Sequence, residues 1–129
     1  MHLMDRVTTL ALLNGNQTVQ RNLATALTAN TPVGISSITE AQIRTILMRT
    51  KPAALGMFDS IMQRAVSAPW DSKCAHMFAT IDAKMPANHG LAPLDLWAAV
   101  HSIAIGAIFI SNIGAIHLIP GVMVKDWTI

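Results

Sequence analysis

Apolar residues recur every three or four positions along most of the chain, which is the spacing of a helix that buries one face. The pattern predicts a helix at residues 4–13, where Met4, Val7 and Leu10 share a face. A second helix is expected at residues 17–29, after the breaker sequence NGN. The sequence NTPVG then predicts a turn.

Three further helices follow in the same pattern. Ser37 and Glu40 have the spacing of a capping box, which predicts a helix start there and an end before Pro52. The next helix is expected at about 52–66, and another at 70–84 with Asp71 in its first turn, where an acid suits the helix dipole.

The last predicted helix, near residues 93–112, is apolar on almost every face. From residue 96 onward it belongs to a stretch, residues 96–124, that has no acid, lysine or arginine. Pro120 ends any helix, and the tail beyond it suits an extended edge. No second strand is evident to pair with that tail. The predicted fold is therefore mostly α, with residues 1–129 forming a single domain, a bundle of five or six helices with a short extended C-terminal tail.

The small number of charges changes the picture of the surface. Charged residues make up 12% of the chain and hydrophobic residues 52%, whereas a soluble domain has about 25% charged residues. Sixteen Lys, Arg, Asp and Glu side chains leave little charge repulsion to keep molecules apart. We therefore expect neighbouring subunits or lipid to cover much of the surface.

Small residues repeat every four positions in the apolar helix. Ala98, Ser102 and Gly106, continued by Ile110, predict a seam for close helix packing and self-association. The expected partners are copies of this chain or other subunits of an assembly.

The same segment also allows a membrane interpretation. Residues 96–118 are long enough to span a bilayer, and Trp97 and Trp127 flank them as interfacial anchors would. Asn112 and His117 oppose this interpretation, because polar side chains in lipid need partners. The N-terminus does not resemble a signal peptide, so the location follows only from whether this segment spans.

No motif with catalytic or metal-binding spacing is present. The five histidines are scattered, and the one cysteine, Cys74, lies two residues from His76, which places them on different faces of a helix. Asp59, Asp71, Asp82 and Asp95 fall at predicted helix starts or exposed faces, where a solvated acid is the ordinary interpretation. The sequence therefore predicts no catalytic residue, no metal site and no cofactor.

One basic cluster, Arg44, Arg49 and Lys51, is the candidate nucleic-acid contact. Arg44 and Lys51 are about two helical turns apart, whereas Arg49 lies off that line. With a net charge of +2 and no run of basic residues, the signal is weak.

These observations favour a non-enzymatic, self-associating structural subunit, of a virion, phage-tail or filament-type particle. A small accessory subunit anchored in a membrane complex by residues 96–118 is the first alternative. A small enzyme with an unrecognised histidine-based site is the second.

Overall fold

Five short strands form one parallel sheet in the computed structural model, which describes residues 1–129. The strands, in chain order, are β1 (His2–Met4), β2 (Val33–Ser36), β3 (Val66–Ala68), β4 (Ile108–Ile110) and β5 (Val124–Lys125). Their order across the sheet is β3-β2-β1-β4-β5, so the first strand is the central one.

Six α-helices cover the sheet. They are α1 (Arg6–Leu13), α2 (Gln17–Thr28), α3 (Ser37–Thr50), α4 (Leu55–Met62), α5 (Ser72–Asp82) and α6 (Pro93–Ala104). Two 3₁₀ turns, Pro52–Ala54 and Gly114–Leu118, complete the regular structure.

The predicted helical bundle is therefore wrong, and the fold is α/β. The helices were largely placed correctly, but four of the strands were absorbed into helices and turns. Parallel strands buried on both faces appear in a sequence as short, continuous apolar runs, without the alternation that marks a half-exposed strand. "HLM" and "IFI" are such runs.

The two neighbouring strands β1 and β4 each supply side chains to two cores, one on each face of the sheet. In β1, Leu3 packs into one core and Met4 into the other, and in β4 Phe109 and Ile110 divide in the same way. This alternation follows from the period of two along a strand. Helices α1 to α4 cover the Met4 face, and α6 with the second 3₁₀ turn covers the Leu3 face.

Helix α6 ends at Ala104, eight residues before the predicted end near residue 112. Gly106 has a φ of +69°, the left-handed conformation that commonly ends a helix, and the chain then enters β4. No helix in the chain is both long and apolar enough to cross a membrane. The predicted transmembrane helix is therefore not present.

Side-chain caps fix the starts of several helices. Asp5, Asn16 and Asp71 each accept a hydrogen bond from a backbone N–H in the first turn of α1, α2 and α5. The cap of α3 is Ser36, one residue before the predicted Ser37, and the expected capping box does not form. Glu40 instead accepts hydrogen bonds from Ser67 and Arg44.

Candidate active site

Two polar residues follow the two neighbouring strands at the centre of the sheet. Asp5 comes directly after β1, and Ser111 directly after β4. The chain leaves β1 towards β2 on one side, whereas β4 lies on the other, so the strand order reverses here. In open parallel sheets, ligands bind at the carboxyl ends of the strands at such a reversal. The fold thus directs attention to Asp5 and its neighbours.

The Asp5 carboxyl group is buried and only partly satisfied. Its Oδ1 accepts a hydrogen bond of 2.7 Å from the Thr8 backbone N–H, and the residue is 2% exposed. Burial raises the pKa of Asp5, the nearby Asp95 charge acts in the same direction, and hydrogen bonds from Ser111 and Thr8 oppose the rise. Oδ2 has no hydrogen-bond partner of good geometry. A buried acceptor without a partner is costly, which marks the position as a candidate ligand site.

Asp95 brings a second carboxylate to the site from the first turn of α6. Its two oxygens accept hydrogen bonds from Arg6, at 3.2 Å from Nε to Oδ1 and 3.0 Å from Nη2 to Oδ2. The Asp95 side chain is 6% exposed and that of Arg6 is 30% exposed. The hydrogen bonds to Asp95 raise the pKa of Arg6 further, so the guanidinium stays charged. This bidentate geometry is the strongest form of the Arg–carboxylate pair.

A shallow cavity lies beside Arg6, the residue that pairs with Asp95. It has a volume of about 280 Å³ and is lined by Arg6 together with residues of α3 and the residue before Asp95, namely Ala41, Gln42, Thr45, Ile46 and Leu94. The Gln42 side-chain oxygen, Oε1, is buried and has no hydrogen-bond partner. The cavity therefore brings together the Arg6 guanidinium, which pairs with Asp95, and an unpaired amide oxygen.

The oxygen donors at this site suit a hard divalent cation. Asp5 Oδ2 and Gln42 Oε1 are unpaired, Asp95 forms an ion pair with Arg6, and the Ser111 hydroxyl is close to Asp5. Mg²⁺ is usually held by one or two carboxylates, with water and substrate phosphate completing its shell. No group of three or more His, Cys, Asp or Glu side chains is assembled anywhere, so a cation here would depend on water and amide oxygens as well. The donor set fits Mg²⁺ or Mn²⁺ on these terms.

A second buried polar group lies further along α6. His101 is fully buried, and its Nδ1 is 2.7 Å from the Ser36 hydroxyl oxygen. The Trp70 ring meets the imidazole edge-on, and Trp97 stacks on Trp70. Burial lowers the pKa of His101, while the carboxylate of Asp71 opposes that shift. The imidazole is thus held neutral within an aromatic cluster and opens into no cavity, which favours a structural role.

An apolar groove lies between α2 and α4, away from the acidic pair. Its volume is about 300 Å³, and apolar side chains line it, including Leu23, Leu27, Met57 and Ile61, with Arg64 among its polar residues. Met57 is 55% exposed. The groove lacks the polar groups that a reaction requires, so it is better suited to contact with another chain.

The four residues of the predicted helix seam do not share one helix face. Ala98 and Ser102 are buried on α6, where the Ser102 hydroxyl donates to the Ala99 carbonyl oxygen. Gly106 lies beyond the helix end, and Ile110 is a buried residue of β4. Self-association through these residues stays a prediction. The continuous helix from which it was inferred is not present, because α6 ends at Ala104.

The predicted basic cluster is divided by its contacts. Arg44 pairs with Glu40 and with Asp59, both at 2.9 Å, and its guanidinium lies over the Phe58 ring. Arg49 and Lys51 are exposed at the end of α3 and make no ion pair. Only these two are free to contact phosphate, and that contact also stays a prediction.

The residues that form the acidic site were not predicted from the sequence. Asp95 was interpreted as a solvated acid at a helix start, whereas it is buried against Arg6. Asp5 was treated as part of an ordinary first helix. The available signal was an acid directly after the apolar run HLM, which becomes informative once that run is assigned to a strand.

Four solved structures share this fold over almost the whole chain. A chain of VapBC2 from Rickettsia felis, bound to a DNA fragment from its promoter, has a TM-score of 0.88 at 20% identity and covers 98% of both chains. DNA-bound VapBC from Salmonella typhimurium gives a TM-score of 0.86 at 20% identity, covering 98% of this chain and 97% of that one. FitAcB from Neisseria gonorrhoeae gives 0.76 at 18% identity, covering 98% of both chains. Searches against family models and curated protein sequences found no match.

These similarities correct the functional predictions. The expected virion, phage-tail or filament subunit is contradicted, because the fold is shared with chains of VapBC and FitAcB complexes and nothing indicates a particle protein. The prediction that the chain is not an enzyme is contradicted by the same matches. At 16–20% identity, the similarity establishes the fold that this chain has in common with them.

Proposed function

We propose that this chain is a ribonuclease of the VapC type, the toxin component of a toxin–antitoxin pair. VapC toxins are PIN-domain ribonucleases, and the structural neighbours are toxin–antitoxin complexes that contain such a chain. The observation that carries the proposal is that two buried acids, Asp5 and Asp95, lie at the reversal point of the parallel sheet, and that Oδ2 of Asp5 has no hydrogen-bond partner. An acidic site of this kind suits hydrolysis of a phosphodiester bond.

The residues of the site have separate tasks in this proposal. Asp5 is held in place by the Thr8 N–H and by the backbone bond from its own N–H to the Ile110 carbonyl oxygen. This leaves Oδ2 directed to a ligand, together with Gln42 Oε1 and the Asp95 carboxylate. A bound Mg²⁺ or Mn²⁺ would neutralise phosphate charge and lower the pKa of a coordinated water.

The nucleic-acid substrate has a polar approach along α3. Gln42 and Thr45 line the cavity, and exposed Arg49 and Lys51 lie one and two turns further along the same helix and its end. Charges at this distance attract the phosphate backbone and orient it without reading its sequence. The formal charge of +2 on the whole chain is compatible with this role.

The apolar groove between α2 and α4 is the proposed surface for an antitoxin-type protein partner. The neighbours were crystallised as complexes with a VapB antitoxin. Amphipathic segments commonly bind in apolar grooves of this kind. Met57→Asp should weaken complex formation with a co-expressed VapB-type chain, whereas Met48→Asp, at an exposed methionine outside the groove, should leave it intact. Equal binding by both variants would place the partner elsewhere.

Ribonuclease activity of purified protein, measured with Mn²⁺ on labelled RNA, tests the proposed function. Asp5→Asn and Asp95→Asn should each lower the cleavage rate by about a hundredfold or more, because each removes a charge from the reacting site. Asp82→Asn is the matched control, since Asp82 is exposed at the end of α5. Far-UV circular dichroism establishes that the variants are folded. Cleavage that survives both substitutions would refute the acidic site as the active site.

A further inference from the structure

The Arg6–Asp95 ion pair lies within the candidate active site itself. Arg6 is the first residue of α1 and directly follows Asp5, and its guanidinium reaches across to α6. It also lines the cavity that contains Gln42 and Leu94, the residue before Asp95. A cation supplied by the chain thus lies where a bound cation would be expected.

Some oxygens at the site have hydrogen-bond partners and others have none. Asp5 Oδ2 and Gln42 Oε1 have no partner, although both are buried. Both oxygens of Asp95, in contrast, are taken by Arg6. A guanidinium cannot lose its proton at neutral pH, so the lone pairs that Arg6 occupies become free only when the guanidinium moves away.

We propose that Arg6 is an internal competitor of the divalent cation, and that the guanidinium and the cation bind the Asp95 carboxylate alternately. This inference rests on the proposed function, since it concerns the cation of that same site. The tethered guanidinium has a high effective concentration at Asp95, which weakens the cation's apparent affinity. In the closed arrangement seen here, Arg6 keeps the site inhibited.

The position of Arg6 allows its guanidinium to move from the Asp95 carboxylate to a substrate phosphate. Arg6 is 30% exposed whereas Asp95 is 6% exposed, so the guanidinium can turn towards the cavity mouth while Asp95 stays in place. A substrate phosphate at the mouth offers the same bidentate geometry as the carboxylate that Arg6 leaves. Substrate and cation together therefore favour the open arrangement, and each increases the affinity of the other.

Calorimetric titration with MnCl₂, in the absence of RNA, measures the competition directly. Arg6→Gln should bind Mn²⁺ at least about tenfold more tightly than the unaltered protein, within the usual range of coupling between sites. Arg21→Gln removes the same charge from an exposed position on α2 that makes no ion pair, and should leave the affinity unchanged. Asp95→Asn in the Arg6→Gln background should abolish the gain.

The outcomes separate this inference from the proposed function. If the unaltered protein and Arg6→Gln bind Mn²⁺ equally, and Asp95→Asn removes that binding, the competition is refuted and the metal site stands. If neither protein binds Mn²⁺, both the competition and the metal-dependent site are refuted. Should Arg6→Gln not fold, Arg6→Lys decides, because lysine keeps the charge but not the bidentate grip: a Mn²⁺ affinity unchanged by Arg6→Lys refutes the competition.

Discussion

Helix α6 carries two buried ionisable groups that have different partners. Asp95, in its first turn, accepts hydrogen bonds from the Arg6 guanidinium on both of its oxygens. His101, near its other end, is surrounded by a serine hydroxyl and aromatic rings, and burial lowers its pKa. The difference shows that the partner of a buried group, as well as its burial, decides how costly a charge is at that position.

The largest effect is expected when a permanently charged side chain replaces the buried His101 imidazole. His101→Lys should destabilise the protein by more than about 3 kcal/mol, because an unpaired ammonium would be buried among Trp70 and its neighbours. Urea unfolding followed by circular dichroism measures the loss. His76→Lys, on the exposed side of α5, is the control and should cost little. A well-folded His101→Lys protein would mean that water reaches this cluster.

Removing Arg6, the ionic partner of Asp95, should have the next largest effect on stability. Arg6→Ala leaves the Asp95 carboxylate buried without an ionic partner, and should lower the free energy of unfolding by roughly 1–2 kcal/mol, a value discounted for the partial exposure of Arg6. Arg21→Ala is the matched control. We expect MnCl₂ to restore part of the lost stability in Arg6→Ala, because the cation then replaces the guanidinium. Equal unfolding midpoints for both variants would show that the pair contributes nothing.

The histidine should make stability fall in mild acid. Since the pKa of His101 is lowered in the fold, its contribution is fully present above about pH 6.5 and is lost as the pH falls towards the folded value. His2 acts in the same direction, because its pKa is also lowered. The difference in Tm between pH 7.5 and pH 5.5 should therefore be smaller in His101→Asn than in the unaltered protein. An unchanged difference would assign the acid sensitivity to other groups.

The smallest expected effect concerns Asp5, which has neither the ionic partner of Asp95 nor the aromatic surroundings of His101. Its pKa is raised, so its contribution to stability is present at low pH and is lost as the pH rises through the folded value. Asp5→Asn keeps a helix-capping side chain but cannot ionise, and should raise Tm at pH 8 by a few degrees. The gain should shrink towards pH 4. A Tm that falls at both pH values would show that capping by the carboxylate outweighs the cost of its burial.

The sequence predicted the helices better than the fold because the two signals differ in length. Helices such as α2 and α5 span three turns or more and show a clear apolar face. The strands have two to four residues, too few to show a period, and β4 continued the apolar pattern of α6. Gly106, which ends that helix, looked like a member of a small-residue stripe until its backbone conformation was known.

The candidate site was harder to predict, because its members are far apart in the sequence. Asp95 comes near Asp5 only because α6 packs where Arg6, the residue after Asp5, can reach it. Each is an ordinary helix-start acid by itself. Arg6 and Gln42 likewise have no local pattern that would indicate their partners, so their roles depended on knowing the strand order.

The central position of β1 has a consequence for the order of folding. Leu3 pairs with Gly34 on one side and with Phe109 on the other, so the middle of the sheet is completed only by a strand that lies far along the chain. Contacts of such long sequence separation slow folding. The acidic site needs residues on both sides of that pairing. A chain in which β4 has not yet paired with β1 therefore has no assembled acidic site.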